Sequence, residues 1–245
     1  MNTVIIVQAR MTSTRLPGKV LKQVLGKTLL EYQIERLRRV NLANGIVIAT
    51  TTNDTDLPIV DLCRRLDIAV TRGSEHDVLA RYYEAAKLHH ADVIVRVTSD
   101  CPLIDPAVID EAIRFYLDHS TEYDYVSNAL TQSYPYGMAA EVFPYKVLEE
   151  AHLEARAEPE REHVTPFIYT RPERYHIGHL VNAENHSHHR WTVDTPEDFE
   201  LVRRITEALY PVKPEFDTQD ILALLKRHPE WAEINAHVRQ KKLGE

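Results

Sequence analysis

Short β-branched apolar runs alternate with stretches of helical spacing along the first half of the chain. Residues 3–8 (TVIIVQ) and 45–51 (GIVIATT) are apolar almost throughout, the pattern of strands buried on both faces of a parallel sheet. Between them Leu29, Leu30, Ile34, Leu37 and Val40 recur at helical intervals and predict a helix over 29–40. The same rhythm predicts a helix over 56–66, a short strand at 68–72, a helix over 77–90 and a strand over 92–100. A further helix over 105–119 opens with Asp105 as N-cap and Pro106 in the first helical position.

From about residue 124 the rhythm loosens. YDYVSNAL (123–130), AAEVF (139–143), RYHIGHL (174–180) and HHRWTVD (188–194) read as strands, with helices over 144–156 and 160–170 between them. Thr195, Pro196 and the acidic Glu197 and Asp198 start a helix running to 209, and the tail reads as two short helices broken at Pro229. No linker divides the chain. The expectation is one domain over 1–245, an α/β fold with a mostly parallel sheet and a small inserted lobe near 125–185.

Bulk properties narrow the function classes. With 245 residues, 44% hydrophobic and 27% charged, the chain is ordinary for a globular protein. It has no apolar stretch near the ~20 residues of a membrane span. The start, MNTVIIVQAR, lacks the basic region and small-residue cleavage site of a signal peptide. Cys63 and Cys101 form no ligand-spaced pair, which suits a reducing, cytoplasmic setting without structural zinc. Residues 1–40 carry eight Lys or Arg against two Glu, so the remainder of a chain of net charge -8 holds -14. An acidic body does not suit a general nucleic-acid binder, but a local basic loop suits a small polyanion; neither a nucleic acid nor a membrane is an expected partner.

That loop is VQARMTSTRLPGKVL (7–21), directly after the first strand. In open α/β sheets ligands sit at the carboxyl ends of the strands, so residues 8–19 occupy a binding position. Arg10, Arg15 and Lys19 match phosphates in charge, and the Ser13–Gly18 turn adds backbone N–H groups. The plainer alternative is a solvated loop whose cations make surface ion pairs. Two nucleotide motifs fail. GKT (26–28) resembles the end of a P-loop, but Leu21 stands where that loop needs glycine, so GKT reads as a helix start. Only Gly18 follows strand one closely, which excludes a dinucleotide fingerprint.

The loop does resemble the N-terminal signature of the sugar-acid cytidylyltransferases, which include the CMP-ketodeoxyoctonate and CMP-acylneuraminate synthetases. Within that family it is most similar to the branch of spore coat polysaccharide biosynthesis protein F. The likeness recurs in RGSEHDVLARYYEAA, RVTSDCPLIDP, EREHVTPFIY and RWTVDTPEDFE, in the family's order over most of the chain. It implies a three-layer αβα, nucleotide-diphospho-sugar transferase-like fold and transfer of CMP from CTP to a sugar acid with release of pyrophosphate. It further implies Mg²⁺, a homodimer and a role in surface or spore-coat polysaccharide biosynthesis. Arg10 and Lys19 would then hold the triphosphate with Arg15 helping, and Gln8, Ala9, Ser13, Arg72, Ser74 and Asp77 would line the nucleotide. An enzyme using another nucleoside triphosphate, or a nucleotide-sugar glycosyltransferase of the same fold, is the alternative; the latter needs an Asp-x-Asp, and Asp54-Thr55-Asp56 lies at a helix start.

Asp100 and Asp194 each close an expected strand, and the resemblance brings them together as Mg²⁺ ligands. Read on their own, Asp100 is a turn residue before Pro102 and Asp194 precedes a capped helix. Where the ketodeoxyoctonate enzymes carry Gly-Asp-Glu-Pro this chain has Ser-Asp-Cys-Pro, with Cys101 as a bystander. Asp77 serves equally as an N-cap before VLARYY. The resemblance turns the lobe toward the acceptor and brings Asn128, Tyr136, Glu141, Arg161 and His163 to the sugar, although Glu141 also reads as the partner of a neighbouring Arg. His186, His188 and His189 lack a ligand spacing for zinc and read as a polar strand edge.

Overall fold

A computed structural model describes residues 1–240 of the chain. The strands are β1 (Thr3–Gln8), β2 (Gln23–Val24), β3 (Lys27–Thr28), β4 (Gly45–Thr51), β5 (Ala69–Gly73), β6 (Val93–Thr98), β7 (Tyr125–Ser127), β8 (Glu141–Pro144) and β9 (Ile177–His179). The helices are α1 (Leu29–Leu37), α2 (Leu57–Arg65), α3 (Val78–Leu88), α4 (Pro106–Asp118), α5 (Tyr145–Glu154), α6 (Glu158–His163), α7 (Pro166–Tyr169), α8 (Pro196–Leu209), α9 (Thr218–Arg227) and α10 (Pro229–Ala232). Among the described residues no helix is long and apolar enough to cross a membrane.

Seven strands form one sheet in the order β5-β4-β1-β6-β8-β7-β9. β5, β4, β1 and β6 are parallel, while β8 runs antiparallel to β6 and to β7. The continuous apolar runs have a simple cause: both faces of β1 and β6 are covered. Ile5, Val7, Val93, Val95 and Val97 pack into a core with α1, α4 and α8. Val4, Ile6 and Ile94 face the opposite core, built on α3, α5 and α7. The fold is therefore three-layered αβα, as the sequence leads one to expect. The segment 125–185 adds β7, β8 and β9 to this same sheet.

The order also locates a crevice. From β1 the chain proceeds outward to β4 and β5, then crosses back so that β6 lies on the other flank of β1. A reversal of this kind opens a gap at the carboxyl ends of the two strands. The basic loop leaves β1 and the Asp100 turn leaves β6, so the two face each other across it.

Helix starts follow the local chemistry. Thr28 and Glu31 form a capping box at α1, so GKT leads into a helix, its Lys27 and Thr28 also forming β3, which pairs with β2 in a short antiparallel ribbon. Asp105 caps α4 with Pro106 behind it, and Thr195 with Asp198 forms a capping box at α8. Two sequence expectations need correction. The helix expected over 160–170 is broken at Val164, whose φ of 74° no continuous helix contains, so that α6 ends and α7 restarts at Pro166. HHRWTVD is not a strand. Its N–H groups go to unrelated partners, Trp191 to the Tyr136 carbonyl and Val193 to the Asp100 carbonyl, so no ladder forms.

Candidate active site

The basic loop is held in shape from both ends. Asp56, wholly buried, accepts the Met11 N–H at 2.8 Å and also the hydroxyls of Thr50 and Thr51. Farther along, the Gly18 N–H returns to the Met11 carbonyl at 2.9 Å. Gly18 adopts φ 69°, a left-handed turn that side chains resist, and it delivers Lys19 into a single 3₁₀ turn over Lys19–Leu21. Glu75 accepts from Thr12 and Asn53, whose hydrogen bonds hold its carboxyl below the usual 4.5, and lies 3.7 Å from the Arg10 guanidinium.

Lys19 is the meeting point. Its ammonium donates to Asp100 Oδ2 at 3.1 Å and to Asp194 Oδ1 at 2.8 Å, partners 81 and 175 positions away in the chain. Burial alone would lower the Lys19 pKa, but Asp100 and then Asp194 raise it above 10.5. Burial pushes the Asp100 carboxyl upward, and the Lys19 charge and the Thr98 hydroxyl at 2.6 Å more than reverse that, leaving it below 3.8. Arg15 reaches Asp194 Oδ2 at 3.0 Å, so two of the three loop cations converge on one carboxylate.

Asp100 and Asp194 meet because their backbones are stitched together. The Asp100 carbonyl accepts the Val193 N–H at 2.8 Å and the Thr192 hydroxyl at 3.1 Å. Gly137, at φ 103°, packs so closely on this coil that a Cβ there would lie 2.8 Å from the Thr192 nitrogen. Chemically, two carboxylates turned toward a common cation form the oxygen donor set that a hard divalent ion takes, with further positions left for phosphate and water. The residues fit such an ion, and the Lys19 ammonium now sits between them. Among the described residues no group of three or more His, Cys, Asp or Glu side chains could hold a metal, the His186–His189 cluster included. Burial pushes the Cys101 thiol well above its usual range, so it is no ready nucleophile.

The other expected residues divide by what already engages them. The Gln8 side-chain carbonyl accepts from Arg96 at 3.2 Å, the Ala9 N–H reaches the Ala49 carbonyl, and Ser13 lies half-buried on the loop. Arg72 bonds the Thr51 and Asn53 carbonyls, and Ser74 Oγ accepts the Asp77 N–H. Asp77 caps α3 by accepting from Ala80 and pairs with Arg161 at 3.0 Å, which joins an expected nucleotide residue to an expected acceptor residue. Asn128 clamps the Met138 carbonyl and the Ala140 N–H, a wholly internal assignment. Glu141 is buried beside Arg96, Tyr125 and Thr165, all of which donate to it. Tyr136 lines a cavity of about 380 Å³ with His188, Trp191 and Asn235, and His163 is exposed on α6. The five acceptor-side residues thus present no single polar surface: Asn128 and Glu141 have their polar atoms turned inward.

Four residues that build this site are not marked as site residues by the sequence: Asp56, Glu75, Arg190 and Asp198. Asp198 carried a signal, the Thr-Pro-Glu-Asp helix start. Arg190 carried none, because its partners are settled only by the fold.

Comparison with known proteins identifies the family. A family model described as cytidylyltransferase matches residues 4–222. The chain is 32% identical over 234 residues to the spore coat polysaccharide biosynthesis protein SpsF of Bacillus subtilis, covering 93% of this chain and 95% of that one. A cytidylyltransferase structure from Leptospira borgpetersenii superposes with a TM-score of 0.91 at 30% identity, over 99% of both chains. A CMP:2-keto-3-deoxy-manno-octonic acid synthetase complexed with CTP shares the fold, with a TM-score of 0.65 at 18% identity over 85% of this chain and 99% of that one. The chain belongs to the cytidylyltransferase family.

Proposed function

We propose that this protein transfers CMP from CTP to a sugar acid and releases pyrophosphate, with Mg²⁺ held by Asp100 and Asp194, as a step in surface or spore-coat polysaccharide biosynthesis. The observation that carries the reading is the simultaneous bonding of Lys19 to Asp100 and Asp194 at the crevice between β1 and β6. The CTP bound by the octonic acid synthetase and the polysaccharide role in the SpsF name support the choice of nucleotide and pathway class.

In this reading the acceptor hydroxyl attacks the α-phosphate in line with the departing pyrophosphate. Lys19, Arg10 and Arg15 bind the triphosphate and offset the charge that builds on the leaving group. Mg²⁺, when bound, supplies a Lewis acid that neutralises phosphate oxygens. Asp56 and Glu75 keep the cations in place before the substrate arrives, so little reorganisation is left for the reaction itself. Gln8, Ala9, Ser13, Arg72 and Ser74 line the nucleoside, Asp77 shapes that wall by fixing the start of α3, and Tyr136, Arg161 and His163 stand on the acceptor side. The protein acts as a cytoplasmic homodimer.

The test is pyrophosphate release from CTP, UTP, dTTP and GTP against octulosonic and nonulosonic acids, with Mg²⁺ or with chelator. Release that needs CTP, a sugar acid and the metal together is expected. Equal turnover of all four nucleotides, or turnover unaffected by chelator, would overturn the reading.

A further inference from the structure

Asp194 is held from behind by a buried group of residues that never faces the crevice. Arg190 is 7% exposed and donates through Nη2 to Asp194 Oδ2 at 2.9 Å. The same guanidinium donates through Nε to Asp198 Oδ1 at 2.8 Å and through Nη2 to Asp198 Oδ2 at 3.0 Å. Asp198, wholly buried, also accepts the Asp194 N–H at 2.9 Å and the Thr195 N–H at 3.1 Å. Thus Asp198 fixes the Asp194 backbone while Arg190 fixes its carboxylate. A third member comes from the C-terminal segment: the Asn235 amide donates to Asp198 Oδ1 at 2.8 Å and to the Arg190 carbonyl at 2.9 Å.

A planar guanidinium bonded on two sides has almost no rotational freedom, which a lone ammonium would keep. The Asp198 charge matters as well. Without it Arg190 would be a free cation beside Asp194 and would compete for the oxygens that face the crevice. With it, Arg190 is largely neutralised from behind and engages only Oδ2, so Oδ1 stays turned toward Lys19.

We propose that Arg190 is a positioning residue for Asp194, kept in register by Asp198 and by Asn235 of the C-terminal segment. The proposal rests on the reading of Asp194 as a divalent-cation ligand. Partners behind a ligand typically alter metal affinity or activity by about 10–100-fold.

The test measures Mn²⁺ uptake by electron paramagnetic resonance on full-length protein with CTP bound, beside steady-state pyrophosphate release. Arg190→Lys keeps the charge and loses the two-sided geometry. It is expected to weaken Mn²⁺ binding and lower kcat by about tenfold or more, with KM for CTP changed less than about threefold because Arg10, Arg15 and Lys19 are intact. Asn235→Ala leaves every charge in place and is expected to show the same pattern at about threefold to tenfold, which covers the case in which Arg190→Lys does not fold. A folded Arg190→Lys, or failing that a folded Asn235→Ala, with wild-type Mn²⁺ affinity and kcat overturns the proposal alone. Wild-type protein that takes up no Mn²⁺ overturns the reading of Asp194, and the proposal with it.

Discussion

Two clusters of paired charge adjoin β6, one at its carboxyl end and one in its pairing with β8, and they are built differently. At the end of the strand, Lys19, Asp100, Asp194 and Arg15 come from the loop after β1, the turn after β6 and the coil before α8. Within the sheet, Arg96 and Glu141 sit opposite each other in the register of β6 and β8, with Tyr125 of β7 and Thr165 closing over Glu141. The second cluster is carried by strand ladders and cannot separate without unpairing the sheet. The first is carried by irregular backbone, and its Asp100 and Arg15 side chains remain 24% and 30% exposed. Ladder-borne charge is architecture. Loop-borne charge can exchange one ionic partner for another, as a site that admits a triphosphate must.

The sharpest way to break this contrast is to neutralise the sheet cluster. Glu141→Gln keeps the shape but leaves Arg96 buried beside no counter-charge, an arrangement that costs about 3–5 kcal/mol. A fall in Tm on the order of 10 °C is expected for a chain of this size. Where the variant still folds, KM for the nucleotide is expected to hold. A Tm within 2 °C of wild type would place Glu141 among the exchangeable groups.

The reverse pattern is expected at the strand end. Lys19→Ala and Asp100→Ala each remove one preorganised charge, worth about 2–4 kcal/mol or 10²–10³ in turnover. Their Tm should fall less than that of Glu141→Gln, since the loop remains tied by Asp56 and by the Gly18–Met11 bond. Circular dichroism melts beside pyrophosphate release decide it. Folded Asp100→Ala with normal turnover would remove the metal assignment.

The contrast also explains which parts of the molecule were legible in the sequence. The parallel half reads directly, because strands covered on both faces must be apolar throughout, as TVIIVQ and GIVIATT are. Caps at Asp105 and Thr195 read directly too, since they act within three residues of themselves. The basic loop is visible from charge density, but its supports are not. Asp56 looks like half of an Asp-x-Asp pair, and only the fold shows it gripping Met11, 45 residues earlier. HHRWTVD has the alternation of a strand, yet its backbone bonds are dispersed between the Tyr136 and Asp100 regions. Alternation records burial on one side and carries no information about which partner the N–H groups find.

A smaller effect follows from the shifts at the strand end. The Asp100 pKa is depressed below 3.8, so its stabilisation is complete above that pH and is lost as pH falls through the lower, folded value. The Lys19 pKa is raised above 10.5, so its contribution is complete below that pH and is lost as pH rises through the folded value. The stability difference between wild type and Asp100→Asn should therefore stay level from about pH 5 to 9 and shrink in acid below about 3.8. Urea melts across this range measure it. A difference that already varies between pH 5 and 9 would show that another group controls the cluster.

The smallest effect is expected where the two building styles meet. Asp77 is on a loop but caps a helix, and Arg161 on α6 pairs with it across the α3–α6 boundary. The pair is partly solvated, 32% and 19% exposed, so its coupling should be no more than about 1 kcal/mol. Asp77→Asn keeps a good capping oxygen and removes the charge, whereas Arg161→Gln removes the pair together with the Arg161 bond to the His152 carbonyl. Each should lower stability by about 0.5–1 kcal/mol, and the double variant should lose less than their sum, as interacting neighbours do. Because Asp77 is expected to shape the nucleoside wall without gripping the nucleotide, KM for CTP should change by less than about twofold in Asp77→Asn. A KM raised tenfold or more at unchanged stability would move Asp77 from the scaffold to the ligand, and would show that a capping residue at this strand end can still be exchanged for substrate.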